Sequence, residues 1–110
     1  MRRDVFQAIA DPVRRDILGL LVDERLTVNT VASKFSISRP AISKHLKILQ
    51  ECGLVAFTKE GRERYCNIQP ENLMEVSQWI EQYRVLWEQK LDSFGDYITQ
   101  LQSKNNTKNR

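Results

Sequence analysis

Ser38-Arg39-Pro40-Ala41-Ile42-Ser43-Lys44-His45-Leu46-Lys47-Ile48-Leu49-Gln50-Glu51-Cys52-Gly53 reads as one helix with two different faces. Ser38 is placed to cap it, with Arg39 and Pro40 in its first turn, and Gly53 is placed to stop it. Ile42, Leu46 and Leu49 recur at spacings of four and three and form a stripe for burial. Arg39, Ser43, Lys44 and Lys47 fall away from that stripe. A charged face opposite a core stripe is more often just solvated, so its meaning depends on what surrounds it.

Upstream, Thr27 is placed to cap a two-turn helix carrying Val28, Val31, Ala32 and Phe35, and Ser36-Ile37-Ser38 breaks the pattern. The order is helix, tight turn, helix, in which the second helix is the one that enters a DNA major groove. Still earlier, Val5, Phe6 and Ile9 fit a short helix ending near Asp11-Pro12. Val13, Ile17, Leu20 and Leu21 mark the buried face of a second helix, with Arg14, Arg15 and Asp16 off that face.

Downstream the period changes to two. Val55, Phe57 and Lys59, then Glu60-Gly61, then Arg62 to Ile68, read as two short strands joined by a glycine turn, a β-hairpin wing. Pro70 opens a last helix in which Leu73, Val76, Ile80, Tyr83, Trp87, Leu91, Phe94, Ile98 and Leu101 step by three or four. Trp79 and Leu86 widen the stripe, which is more than so small a domain covers by itself, so it asks for a partner. Gly95 is a weak point in this helix. The expected organisation is one domain over residues 1–102, with a C-terminal dimerisation helix from about residue 70. Residues 103–110, polar and without an apolar anchor, are expected as a disordered tail. The fold class is mainly α with a small β-hairpin.

Charge is distributed in the same sense. The net charge of the 110 residues is only +3, but residues 34–64 carry +4 and residues 71–101 carry −4. A polyanion is drawn to the middle and repelled by the later segment. Arg39 is the candidate for reading a guanine edge, since its fork matches O6 and N7 together, while Lys44 and Lys47 suit phosphates. Ser38 lies where helix amides favour phosphate, with Pro40 beside it. Lys59, Arg62 and Arg64 on the hairpin suit an adjacent minor groove or backbone, diluted by Glu60 and Glu63. The competing reading of the hairpin charges is protection of an exposed strand edge.

A single histidine, His45, and the lack of a glycine-rich phosphate loop point away from an enzyme. His45 suits packing or a phosphate contact better than metal ligation, and no cofactor is expected. There is no apolar run suited to a secretory signal or a membrane span, so the expected address is the cytoplasm, with Cys52 and Cys66 as reduced thiols. Trp79, Tyr83 and Trp87 share one face and suit core or dimer packing better than a ligand pocket.

Three runs carry a resemblance: Phe6-Gln-Ala-Ile-Ala-Asp-Pro-Val-Arg-Arg-Asp-Ile-Leu18, then Ser38 to Val55, then Gly61-Arg-Glu-Arg-Tyr65. Together they resemble the ArsR family of bacterial winged helix-turn-helix repressors, over about residues 4 to 101. The resemblance implies a homodimer joined through its first and last helices, here Val5, Phe6, Ile9, Trp79, Ile80, Tyr83, Trp87, Leu91, Phe94 and Ile98. It further implies double-stranded operator DNA as partner and a palindromic site. Thiol-type metal sensors of that family carry cysteines where this chain has Thr27, Asn29 and Ala32, and other sensors carry histidines on the last helix, which here has none. The sequence is more similar to the metal-independent, SdpR-like autorepressor branch, whose release comes from an inducer protein or an unknown signal. Two alternatives stay open: a winged helix that docks proteins, and a repressor that senses oxidants through Cys52 and Cys66.

Overall fold

The computed structural model describes residues 4–108, with side chains through residue 102. The chain divides between Val76 and Ser77 into two compact units.

The first unit begins with α1 (Val5–Ile9) and α2 (Pro12–Leu21), each capped by an aspartate. Asp4 accepts from the Gln7 amide at 2.9 Å, and Asp11 from the Arg14 amide at 3.0 Å, so each satisfies a donor the helix itself leaves free. α2 buries Ile17, Leu18 and Leu21. Leu18 therefore takes the buried place expected for Leu20, which lies only half-buried beside Lys34 and Phe35. The reason is tertiary: α2 is packed by α1, α4 and a strand, and that surround selects the buried arc.

A two-residue strand not foreseen from sequence, β1 (Leu26–Thr27), leads directly into α3 (Val28–Ser33). Thr27 serves both elements, since its hydroxyl oxygen accepts from the Thr30 amide at 3.0 Å and caps α3. Ser38 caps α4 (Arg39–Glu51) by accepting from the Ala41 amide at 3.3 Å. Ile42, Leu46 and Leu49 are buried as the spacing predicts.

α4 ends at Gly53, whose φ is 75°. The Gly53 amide donates to Gln50 O at 3.0 Å and the Leu54 amide to Leu49 O at 2.9 Å, the Schellman closure that satisfies two terminal carbonyls.

The hairpin is β2 (Val55–Glu60) and β3 (Glu63–Ile68), turned by Gly61 with φ 61° and Arg62. The turn is thus one residue later than Glu60-Gly61. β1 pairs with the outer side of β3, giving a three-stranded antiparallel sheet in the order β1-β3-β2 rather than a hairpin alone. The core of this unit gathers Ile17, Leu21, Val31, Ile42, Leu46, Leu49, Leu54 and Cys66, with Leu73 and Val76 packed against it.

Pro70 opens a 3-10 turn, Pro70–Leu73, and α5 (Met74–Lys108) starts after it, four residues later than expected. Asn72 in that turn donates to Gly53 O at 2.8 Å, which ties it to the end of α4.

In the second unit α5 passes through Gly95 as one helix. It is drawn into the stretch expected as a tail; side chains from Ser103 on, and Asn109 and Arg110 altogether, lie outside the described residues. Arg84 bridges Glu81 and Glu88, each at 2.7 Å, one turn before and one turn after it. Trp79, Tyr83, Trp87, Leu91, Phe94 and Leu101 are exposed apolar side chains, and Trp79 meets Tyr83 edge to face at 5.4 Å. Ile80 and Ile98 are half-buried. No helix among the described residues is long and apolar enough to cross a membrane.

Candidate nucleic-acid interface

The exposed face of α4 and the hairpin form one polar surface. Ser43, Lys47 and Gln50 from α4 line a cleft of about 330 Å³ together with Phe57 and Arg64 from the hairpin. Next to it a smaller hollow of about 90 Å³ brings Arg39, Arg62 and Arg64 beside Thr27 and Asn29. Arg39, Arg62 and Arg64, distant in sequence, thus share one surface with the start of α3. Lys44 and Lys59 are exposed. Pro40 has no amide to offer and serves the first turn of α4, while Ser38 spends its hydroxyl oxygen as the cap.

Strand alternation sorts the hairpin charges. Lys59 pairs with Arg64, Phe57 with Cys66 and Val55 with Ile68, so these side chains share the face on which Val55 and Cys66 are buried. Arg64 lies over the Phe57 ring, 3.9 Å from its centroid, which stacks the guanidinium while leaving its edge free for a phosphate. Glu60 pairs with Glu63 at the hairpin end, and Thr58 with Tyr65 on the other face, while Glu63 also lines the hollow beside Arg39, Arg62 and Arg64. Arg25 holds Glu60 through two hydrogen bonds of 2.7 Å and covers the Tyr65 ring at 4.0 Å. The Arg25 hydrogen bond keeps the Glu60 carboxyl below its ordinary range. Glu60 therefore dilutes the wing less than a linear count of charge suggests, and the Arg25 pair behind this is one that sequence reasoning missed. Gln50 and Asn29 were missed as well; their signal was their place on the exposed sides of α4 and α3.

His45 is turned toward α2. Its Nδ1 lies 3.3 Å from Arg14 Nη1 and 3.9 Å from Asp11 Oδ2. Arg14 also donates from Nε to Ala8 O at 2.7 Å and from Nη2 to Gln7 O at 3.0 Å, closing the last carbonyls of α1. Arg15 does the same to Ile9 O at 2.8 Å. Burial alone raises the Asp11 carboxyl, but the Arg14 amide and the charges of His45 and Arg14 together hold it below the usual carboxylate range.

Of the α1 side chains expected at a dimer seam, Val5 is 4% exposed and belongs to the core of its own chain, because Val5 and Ala8 lie three apart on the inward side of α1. Phe6 and Ile9 are half-buried. Neither Cys52 nor Cys66 is in a disulfide, and both are buried. Burial pushes the Cys66 thiol up to about 11 against the opposing pull of Arg64. Thr27 is occupied as the cap of α3. Among the described residues no three of His, Cys, Asp or Glu gather as a metal-holding group.

Residues 9–56 match a family described as a helix-turn-helix domain. Over 77 residues, 70% of this chain and 86% of the relative, the protein is 36% identical to the transcriptional repressor SdpR of Bacillus subtilis (strain 168). Over 95 residues it is 35% identical to the HTH-type transcriptional regulator Rv2034 of Mycobacterium tuberculosis, covering 83% of this chain and 89% of that one. A crystal structure of an ArsR family transcriptional regulator superposes with a TM-score of 0.67 at 38% identity, covering 76% of this chain and 91% of that chain. An ArsR-like regulator from Rhodococcus sp. RHA1 does so with a TM-score of 0.64 at 33% identity, covering 82% and 85%. The fold, the basic α4 face and these relatives agree on a DNA-binding regulator and not an enzyme. The chain belongs to the ArsR family of winged helix-turn-helix transcriptional regulators.

Proposed function

We propose that the protein is a repressor that binds a palindromic operator as a homodimer and responds to a signal other than a metal ion. The observation that carries this reading is the continuous surface of Arg39, Ser43, Lys47 and Arg64, which joins a helix able to enter the major groove to a hairpin able to reach the flanking backbone. Arg39 reads a base edge; Lys44, Lys47, Lys59, Arg62 and Arg64 neutralise phosphates. Two copies place two α4 helices in grooves about one helical turn apart, and occupancy of the promoter blocks transcription. The exposed apolar row of α5 supports pairing of two chains, since a patch of this kind on a small domain marks an interaction surface. The cap role of Thr27 and a last helix whose sequence holds no histidine support a signal of another kind. Burial of Cys66 disfavours the thiol-sensing alternative.

The test is fluorescence anisotropy with DNA from upstream of the protein's own gene, against scrambled DNA, over a salt series. Nanomolar, sequence-selective binding with a steep salt slope is expected, the slope counting the phosphates neutralised. Weak binding equal for both DNAs over the whole upstream region overturns the reading in favour of a protein-docking winged helix.

A further inference from the structure

Arg64 lines both the cleft that Ser43, Lys47 and Gln50 open on α4 and the hollow shared with Arg39 and Arg62. It is thus a wing cation placed at the seam between helix and hairpin. Its strand alone does not hold it there. The side chain is exposed, and a long exposed arginine has many rotamers open to it. Lys59 stands directly across the ladder on the same face, and like charges so paired repel. Glu63 lines the smaller hollow, where its carboxylate competes with a phosphate for any loose guanidinium. Phe57 opposes both effects. It pairs with Cys66, two residues along from Arg64, so ring and guanidinium are diagonal neighbours on one face. The ring is half-buried, packed against the core, and itself lines the α4 cleft. The guanidinium carbon lies over it, 3.9 Å from the centroid. Contact through the flat face of a guanidinium leaves its N–H edge available for hydrogen bonds.

We propose that Phe57 is a positioning residue for DNA binding: its ring holds the Arg64 guanidinium beside α4, so that helix and wing meet the backbone phosphates as one prepared cationic surface. The inference rests on the DNA-binding reading above. Its energetic logic is a population. Apparent affinity falls with the fraction of free protein in the binding-competent arrangement, so a contact that keeps Arg64 in place raises affinity. An exposed cation–π contact shifts such an equilibrium by about two- to fivefold in each subunit. The effect belongs to the pair: it needs both the ring of Phe57 and the planar cation of Arg64.

Two readouts on the full chain test this. In NMR spectra of the free protein, the Arg64 side-chain protons are expected to be shifted upfield by the ring and to return to ordinary positions in Phe57→Leu. No upfield shift in the wild type overturns the proposal whatever the DNA result. Operator affinity is then measured by anisotropy over a cycle of Phe57→Leu and Arg64→Gln. Phe57→Leu is expected to bind about two- to fivefold more weakly per subunit, and Phe57→Tyr, which keeps the ring face, to restore most of that loss. Added to Arg64→Gln, Phe57→Leu is expected to cost nothing further. An equal loss in both backgrounds makes Phe57 a structural residue and overturns the proposal, as does an unchanged affinity for Phe57→Leu. Salt dependence separates the two arginine roles: Phe57→Leu keeps the wild-type slope because each phosphate is still reached, whereas Arg64→Gln loses about one unit per subunit. Arg64→Lys leaves the core untouched and keeps the charge without the planar face. It is expected to bind as weakly as Phe57→Leu with the wild-type slope, and wild-type affinity for it overturns the proposal independently of any unfolding in Phe57→Leu. A wild type that binds no DNA selectively overturns the DNA-binding reading and the positioning role together, and the upfield shift then marks the stack as packing alone.

Discussion

Cys66 gives a prediction that can be worked through from its place in the sheet. It lies on β3, between β1 and β2, paired with Leu26 on one side and Phe57 on the other, and is fully buried. Its thiol is raised from 9.0 to about 11 by that burial. At pH 8 a thiol of ordinary acidity is about one-tenth thiolate, and one at 11 only about one part in a thousand, a hundredfold loss of the reactive species. Access lowers the rate further, because a reagent reaches a central strand only when the sheet opens. Native Cys66 is therefore expected to react with iodoacetamide at least about a hundredfold more slowly than in urea, as followed by peptide mass spectrometry at pH 8. The same shift has a stability consequence of definite sign. The folded thiol stays protonated to about 11 while the unfolded one ionises near 9, so the stabilisation is complete below about pH 9 and is lost as pH rises toward 11. Two units correspond to roughly 2.7 kcal/mol. The quantity to measure is the difference in urea unfolding between wild type and Cys66→Val across pH 8 to 11, which cancels whatever the two proteins share. Native labelling within about tenfold of the unfolded rate, or no difference in pH slope between the two proteins, refutes the burial argument and returns the oxidant-sensing alternative to consideration.

Gly53→Ala is expected to destabilise more than Gly61→Ala in urea unfolding, beyond the shared cost of a positive φ by up to about 1 kcal/mol, the scale of the Asn72 hydrogen bond it displaces. Both residues have positive φ, but only at Gly53 does an added Cβ meet an atom, the Asn72 amide nitrogen at 2.5 Å, and Asn72→Ala should relieve part of the difference. Arg25→Ala should weaken DNA binding without touching α4, since it leaves Glu60 uncompensated on the wing; Arg25→Ala combined with Glu60→Gln should recover most of the loss, with both effects fading at high salt in an anisotropy series. Trp87→Glu places a charge in the exposed apolar row of α5 and should yield monomers by sedimentation and lose operator binding in step; a variant that stays dimeric counts against pairing through α5.

What could be read from the sequence was what is decided within a few residues. The capped start of α4 at Ser38, the cap at Thr27, the glycine end at Gly53 and the Ile42, Leu46, Leu49 stripe are all local patterns, and all appear where the spacing puts them. Asp4 and Asp11 were equally local as helix caps and went unread, as did the strand period that separates Glu60 from Lys59 and Arg64. The rest depends on pairings that no local window contains. β1 is two residues long and exists only because Leu26 and Thr27 find Cys66 and Tyr65. Leu18 replaces Leu20 in the core because three neighbours close on α2 from that side. Arg25 and Glu60 are 35 positions apart, and Arg14 and His45 are 31 apart. These distant pairs both touch elements of the proposed interface, the hairpin and α4. One pairs a negative charge of the wing and the other turns the sole histidine toward α2. A charge count along residues 34–64 sees the lysines and arginines of the proposed interface but is blind to both pairings. Arg25 lies outside that window and Arg14 further still, yet each holds a residue within it.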